Sequence, residues 1–150
     1  MIVYSKIRQI IRLYSTPKFV FLNKFIKNYS KDKIKVLDVG CGNKSPSITT
    51  SLFPKIEYFG LDKEDYNLTI GDKRILENRY IHVDLENLSE LNRLLPDDYF
   101  DFIIMTHVIE HTARGAEILE ILAKKLKVGG GIYRISRCKE FSFSIYAGNP

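Results

Sequence analysis

The stretch Val36-Leu37-Asp38-Val39-Gly40-Cys41-Gly42 joins a short apolar run to a turn that contains two glycines. Its β-branched residues are typical of a strand buried on both faces of a sheet. Gly40 and Gly42 let the chain turn tightly and let backbone N–H groups approach a ligand that a Cβ would keep away. The third glycine of the dinucleotide fingerprint is absent, because that position is Ser45. The stretch predicts a strand followed by a ligand-binding turn.

Short apolar runs alternate with helical patterns over the rest of the chain. The predicted strands are Ile34–Val39, Ile56–Leu61, Tyr80–Val83, Phe100–Met105 and Ile132–Ile135. The predicted helices between them are Ser47–Phe53, Asp72–Asn78, Leu85–Leu95 and Ala113–Leu126, the last ended by Gly129-Gly130-Gly131. This alternation predicts an α/β, Rossmann-like fold, with a mostly parallel twisted sheet and helices on both faces.

Composition and charge narrow the class of protein. A chain of 150 residues that is 45% hydrophobic and 27% charged fits one globular domain. Two cysteines are too few for a disulfide framework, so a reducing, cytoplasmic location is the simplest expectation. The net charge of +5 is concentrated at residues 1–35, which hold nine Lys/Arg and one acid. Nucleic acid is an unlikely partner, since the remaining residues are mildly acidic.

The basic N-terminal segment is predicted to form two amphipathic helices that pack on the domain. Apolar residues recur at helical spacing from Val3 to Tyr14 and from Phe21 to Tyr29, with a break at Pro17. Neither stripe is long enough to cross a membrane. We therefore expect residues 1–33 to be a helical segment and residues 34–150 to be the main domain.

Carboxylates follow three predicted strands at the edge where a parallel sheet binds ligands. Asp38 precedes the glycine turn, Asp62 ends the second strand, and Asp84 follows the third. An acid at the position of Asp62 can accept hydrogen bonds from both ribose hydroxyls of a nucleoside. Asp84 can instead cap the helix that follows it, so both roles remain open for that residue.

As a set, these motifs resemble the class I S-adenosylmethionine-dependent methyltransferases, in particular the small-molecule type with a Glu-His pair after strand four. The matching stretches are 36–42, Gly60-Leu61-Asp62, His82-Val83-Asp84-Leu85, 100–111 and 126–131. The resemblance implies S-adenosylmethionine as the cofactor and a small-molecule methyl acceptor. It implies that the following residues bind the cofactor: Asp38, Gly40, Cys41, Gly42, Asp62, Asp84, Leu85 and Thr106.

The segment after the fourth strand contains the candidates for a catalytic base, His107 and His111, with Glu110 as a possible orienting partner. A base is needed only when the methyl acceptor carries a proton at the working pH. The same residues also match the H-x-x-E-H pattern of zinc metalloproteases. We expect no metal, because the pattern directly follows a strand and a third ligand is not evident.

Relative to the resembled family, the last strands are expected to be missing, so that the C-terminal tail or a second copy in a homo-oligomer covers the edge of the fifth strand. Two functions remain open. The first is methyl transfer to a small molecule or biosynthetic intermediate. The second is a cofactor-binding or interaction module without a complete catalytic site.

Overall fold

The chain forms two compact units, Met1–Lys31 and Asp32–Pro150. The computed structural model describes residues 15–29, 33–136 and 139–146. In the first unit, helix α1 (Pro17–Asn28) begins at the predicted proline. The stripe from Val3 to Tyr14 lies outside the described residues, and the packing of this segment on the domain remains a prediction. Within the described ranges, no helix has the length and apolarity needed to cross a membrane.

The second unit alternates strands with helices, as predicted. Its strands are β1 (Ile34–Val39), β2 (Ile56–Asp62), β3 (Tyr80–His82), β4 (Phe100–Thr106), β5 (Leu126–Ser136) and β6 (Lys139–Tyr146). Its α-helices are α2 (Ser45–Leu52), α3 (Ile70–Ile75), α4 (Leu88–Leu94) and α5 (Gly115–Lys124), and a short 3-10 helix spans Ile109–His111.

The six strands form one sheet in the order β3-β2-β1-β4-β5-β6. Strands β1 to β5 run parallel to one another, which confirms the predicted Rossmann-like sheet. The chain moves outward from β1 to β3 and then returns to place β4 on the other side of β1. The carboxyl ends of β1 and β4 therefore flank the point where strand order reverses, the usual place for a ligand in such sheets.

Apolar side chains on the sheet and the helices bury the core. Leu37 and Val39 of β1, Ile103 and Met105 of β4, and Leu122 of α5 are completely buried in one cluster. Burying such a side chain contributes about 1.5–3 kcal/mol. A smaller cluster of Cys41, Tyr58 and Leu76 lies beneath the glycine turn. The strands that carry the predicted ligand edge are thus held rigidly.

The C-terminal part of the sheet corrects two expectations. Gly129-Gly130-Gly131 lie within β5 and do not end the preceding helix, which stops at Lys124. The reason is that the carbonyl of Lys125 accepts hydrogen bonds from the backbone N–H groups of Tyr99 and Phe100, at 3.0 and 2.9 Å, and draws the chain into the sheet early.

The second correction concerns the missing strands, because residues 139–146 form a strand that the sequence did not predict. Strand β6 pairs antiparallel with β5, with Ile132 opposite Ile145. The edge of β5 was expected to be covered by the C-terminal tail or by a second copy, and in the structure the C-terminal tail covers it.

Candidate functional site

The glycine turn after β1 lies against the segment that follows β4. Gly40 has a φ of +74°, a conformation that side-chain-bearing residues rarely adopt. Its N–H donates to the carbonyl of Leu61 at 2.7 Å, which ties the turn to β2. A Cβ added to Gly40 would lie 2.5 Å from Cγ2 of Val108, so only glycine fits. The predicted turn therefore brings the ends of β1, β2 and β4 together.

Asp38 supports this turn from within the core. The residue is 1% exposed, and its Oδ2 accepts hydrogen bonds from Ser45 Oγ at 2.6 Å and from the Tyr58 hydroxyl at 2.7 Å. Burial, together with the charge of Asp38, raises the pKa of Tyr58 well above its ordinary value, so the phenol remains a donor. Because Ser45 is the first residue of α2, this carboxylate fixes where the helix starts relative to the turn. Contact between Asp38 and the cofactor remains a prediction.

Gly42 makes a second close approach, to a loop that the sequence analysis did not single out. A Cβ at Gly42 would lie 2.7 Å from the backbone oxygen of Tyr66. The N–H of Asn43 donates to that same oxygen at 3.0 Å, and the Asn67 side chain donates to the Asn43 side chain at 2.9 Å. The ring of Tyr66 is 58% exposed beside the turn. The contact joins two separate loops, so no local pattern in the sequence indicates it.

Cys41 and Leu85 reach the site less directly than predicted. Cys41 is completely buried, and burial raises the pKa of its thiol, so it stays uncharged. Any ligand contact by Cys41 is therefore made by its backbone. Leu85 is partly buried against the main core cluster, and its binding role remains a prediction.

Asp62 and Asp84 are placed at adjacent strand ends. Asp62 is opposite His82 in the β2–β3 register, and its Oδ1 accepts from the N–H of Lys63 at 2.8 Å. Asp84 is exposed, and its Oδ1 accepts from the N–H of Glu86 at 3.0 Å. Both carboxylates thus lie at the carboxyl edge of the sheet, Asp62 on the strand next to β1 and Asp84 after the strand beyond it.

Asp84 does not cap helix α4, which was its alternative role. The N-cap residue is Asn87, whose side chain accepts from the N–H of Glu90 at 3.3 Å. The helix starts at Leu88, three residues later than predicted. Since the helix has its own cap, the exposed carboxylate of Asp84 is not needed to start it.

The segment after β4 presents a histidine in an unusual backbone conformation. Thr106 ends the strand and is partly buried, and His107 follows with a φ of +56°. The N–H of His107 donates to the carbonyl of Ile135 at 3.0 Å. Its Nδ1 lies 3.3 Å from Oε1 of Glu110, whose side chain is 9% exposed. The exposed His111 lies in the 3-10 helix.

The zinc alternative requires both histidines on one helical face. His107 precedes the 3-10 helix and has a left-handed backbone, so the two histidines do not share such a face. In the part of the chain that the structure describes, no group of three or more His, Cys, Asp or Glu residues is arranged to hold a metal ion.

A buried carboxylate, Asp72, links the two helices that flank the glycine turn and the Tyr66 loop. Its Oδ1 accepts from the N–H and hydroxyl of Ser47 at 2.9 and 2.5 Å, and its Oδ2 accepts from the N–H and hydroxyl of Thr69 at 2.8 and 2.6 Å. Burial opposes its ionisation, but these hydrogen bonds outweigh burial and lower the pKa of Asp72 below its ordinary value. Asp72 is not among the predicted site residues, although Thr69-x-x-Asp72 matches the capping-box pattern.

The chain is similar in sequence to a known protein family. The sequence profile of a family described as a methyltransferase domain matches residues 30–147. The chain belongs to this methyltransferase-domain family. The resemblance predicted from the motifs is confirmed. The matched range includes every predicted site residue of the methyltransferase domain.

Two curated relatives and one solved structure illustrate the similarity. An uncharacterised protein of Methanocaldococcus jannaschii is 27% identical over 81% of this chain and 34% of its own length. A demethylmenaquinone methyltransferase of Halalkalibacterium halodurans is 26% identical over 87% of this chain and 58% of its own. The crystal structure of MycE methyltransferase, from the mycinamycin pathway and in complex with Mg and SAH, has a TM-score of 0.58 at 21% identity and covers 85% of this chain and 34% of its own. The methyltransferase domain thus spans about a third to somewhat over half of the curated relatives' length.

Proposed function

We propose that this protein transfers a methyl group from S-adenosylmethionine to a small-molecule acceptor. The observation that carries the proposal is the shared carboxyl edge of the sheet, which holds the Gly40–Gly42 turn and the carboxylates of Asp62 and Asp84, in a chain of the methyltransferase-domain family. The name of the curated demethylmenaquinone methyltransferase supports a small molecule as the acceptor.

The residues of the edge fit the cofactor in kind and position. A Cβ at Gly40 or Gly42 would collide with Val108 or with the backbone of Tyr66, so the two glycines let the turn pack closely against the segments that border the edge. In the proposal, Asp62 accepts hydrogen bonds from the ribose hydroxyls, and Asp84 accepts from the exocyclic amine of adenine. Hydrogen bonds to a charged carboxylate contribute on the order of 1.5–3 kcal/mol each. Thr106 borders the position of the methionine part.

The chemistry that the cofactor supplies is a methyl carbon made electrophilic by its sulfonium. The protein's task is then to hold the acceptor in line with that carbon and to exclude water. The close contact between Gly40 and Val108 across the strand-order reversal supports this proposal, because it holds the segments after β1 and β4 next to each other.

Calorimetric titration with S-adenosylhomocysteine tests the cofactor part of the proposal. Asp62→Asn is expected to weaken binding about tenfold or more, because it removes a charged acceptor. Glu57→Gln is the matched control, since Glu57 lies on the same strand near its other end and forms only a partly exposed ion pair with Arg79 at 3.6 Å. Equal weakening by both substitutions would contradict the assigned role of Asp62.

A further inference from the structure

The backbone of His107 is held in a conformation that histidine adopts at a cost. Its φ of +56° lies in the left-handed region, which residues other than glycine seldom adopt, although histidine does so more often than most. The hydrogen bond from its N–H to Ile135 anchors it to β5 at 3.0 Å, while the next residue, Val108, packs on Gly40. Such backbone strain is concentrated at functional sites. The strained residue is here the first one after β4, next to the glycine turn.

The side chain of His107 is oriented by a carboxylate three residues later. Oε1 of Glu110 lies 3.3 Å from Nδ1 of His107. The two side chains differ in exposure, because that of Glu110 is 9% exposed and that of His107 is 49% exposed. Among the described residues, Glu110 is the charged group in contact with this ring. A mostly buried carboxylate thus holds a histidine that a solute can reach.

We propose that His107 is the general base of the methyl transfer, that Glu110 is its positioning residue, and that the acceptor is a hydroxyl group. This inference rests on the proposed function. A carboxylate only accepts hydrogen bonds, so its contact with Nδ1 favours the tautomer with the proton on Nδ1. Nε2 then carries the lone pair that removes a proton. This is the same division of roles by which an acid holds a histidine base in hydrolases.

In the proposed step, the acceptor oxygen forms a bond to the methyl carbon while the carbon–sulfur bond breaks. The electron pair of that bond goes to sulfur and leaves a neutral thioether. The proton of the acceptor hydroxyl moves to Nε2 of His107, and Glu110 stabilises the imidazolium that forms. A tertiary amine has no proton to lose and gains nothing from such a base, so the presence of the pair favours an acceptor that gives up a proton, as a hydroxyl does.

His111, the other candidate base, lacks these features. It is exposed in the 3-10 helix, and its N–H closes that turn on Val108 at 3.0 Å. No described side chain holds its ring in one orientation. The geometry therefore selects His107.

The test measures methyl transfer from labelled S-adenosylmethionine to a panel of hydroxyl probes, namely catechol, 4-hydroxybenzoate and 1,4-dihydroxynaphthalene, with N,N-dimethylglycine as the tertiary-amine probe. His107→Asn preserves the backbone, because asparagine tolerates positive φ. We expect it to lower kcat on the hydroxyl probe that is used best by about 100-fold or more, the usual effect of losing a general base. Its affinity for S-adenosylhomocysteine is expected to remain unchanged.

Glu110→Gln separates positioning from a merely structural role. Without the carboxylate, the proton on Nδ1 loses its acceptor and the ring is no longer held in one orientation, so kcat is expected to fall while KM changes little. Glu120→Gln, on the exposed side of α5, is the matched control and is expected to leave kcat and KM unchanged. Nitrogen chemical shifts of labelled histidine are expected to show the Nδ1–H tautomer for His107 in the wild type.

The outcomes separate this inference from the proposed function. Unchanged kcat in His107→Asn, a loss that follows His111→Asn instead, or an Nε2–H tautomer for His107 would overturn the inference. Binding of S-adenosylhomocysteine with methylation of N,N-dimethylglycine alone, or of no probe, would overturn the hydroxyl acceptor and leave the cofactor site intact. Absence of S-adenosylhomocysteine binding would overturn the proposed function itself.

Discussion

Gly40 and Val108 are packed so closely that a Cβ on the glycine would lie 2.5 Å from Cγ2 of the valine. The two residues follow strands that are neighbours in the sheet, on the two sides of the strand-order reversal. This contact fixes the distance between the glycine turn, where we place the cofactor, and His107, where we place the base. The contact therefore positions the proposed base relative to the proposed cofactor site.

Gly40→Ala is expected to destabilise the protein and to abolish S-adenosylhomocysteine binding. Gly129 provides a matched comparison, because its φ of +78° is similar to the +74° of Gly40, but a Cβ there would meet nothing within 4 Å. Gly129→Ala should cost about 1–2 kcal/mol of backbone strain, and Gly40→Ala should add an overpacking cost of about 1–3 kcal/mol. Denaturant unfolding measures both.

Val108→Ala in the Gly40→Ala background should recover the overpacking part and leave the strain part. If both glycine variants lost the same stability, the close contact between Gly40 and Val108 would not hold.

Asp84→Asn is expected to affect ligand affinity and Asn87→Ala to affect stability, because Asp84 is assigned to the ligand and Asn87 caps α4. Asp84→Asn should weaken S-adenosylhomocysteine binding about tenfold or more with little change in stability. Asn87→Ala should cost about 1 kcal/mol of stability and leave the affinity unchanged. Calorimetry and thermal unfolding on both variants check this. Weaker binding in Asn87→Ala alone would reverse the two assignments.

Asp72→Asn is expected to destabilise the protein in a pH-dependent way. The pKa of Asp72 is lower in the folded protein than its ordinary value, because the hydrogen bonds from Ser47 and Thr69 outweigh burial. A carboxyl of this kind stabilises the fold above its unfolded pKa, and the contribution is lost as pH falls through the folded pKa.

The difference in unfolding free energy between the wild type and Asp72→Asn should therefore be about 2–3 kcal/mol near neutral pH and should shrink below about pH 4. Denaturant titrations at neutral and acidic pH measure it. Ser51→Ala on α2 is the control, since its hydroxyl bonds only within its own helix, to Ile48 at 2.8 Å. If the difference in unfolding free energy between the two proteins stayed constant with pH, the ionisation of Asp72 would not contribute to stability.

The parallel sheet and its ligand edge could be predicted from the sequence because their signals are local. Apolar runs mark the strands, and Asp62 and Asp84 directly follow two of them. The chemistry beneath the turn could not be predicted, because the partners of Asp38 are contributed by Ser45 and Tyr58, on different elements. An acid before a glycine turn does not reveal from sequence whether it faces a ligand or the core.

Tertiary pairing also overrode local preference at the C-terminal strands. Three successive glycines favour the end of a helix, yet Gly129 to Gly131 lie in β5, because the carbonyl of Lys125 already accepts hydrogen bonds from the N–H groups of Tyr99 and Phe100 at the start of β4. In contrast, the capping box of Thr69 and Asp72 is a local pattern, so the start of α3 could have been predicted from the sequence.

Crystallography of the protein with S-adenosylhomocysteine tests the central proposal most directly. We expect ligand density along the carboxyl edge, with the ribose hydroxyls at Asp62, the adenine amine at Asp84 and the methionine part against the Gly40–Gly42 turn. Density that lies away from this edge, or a ribose that contacts neither carboxylate, would contradict it.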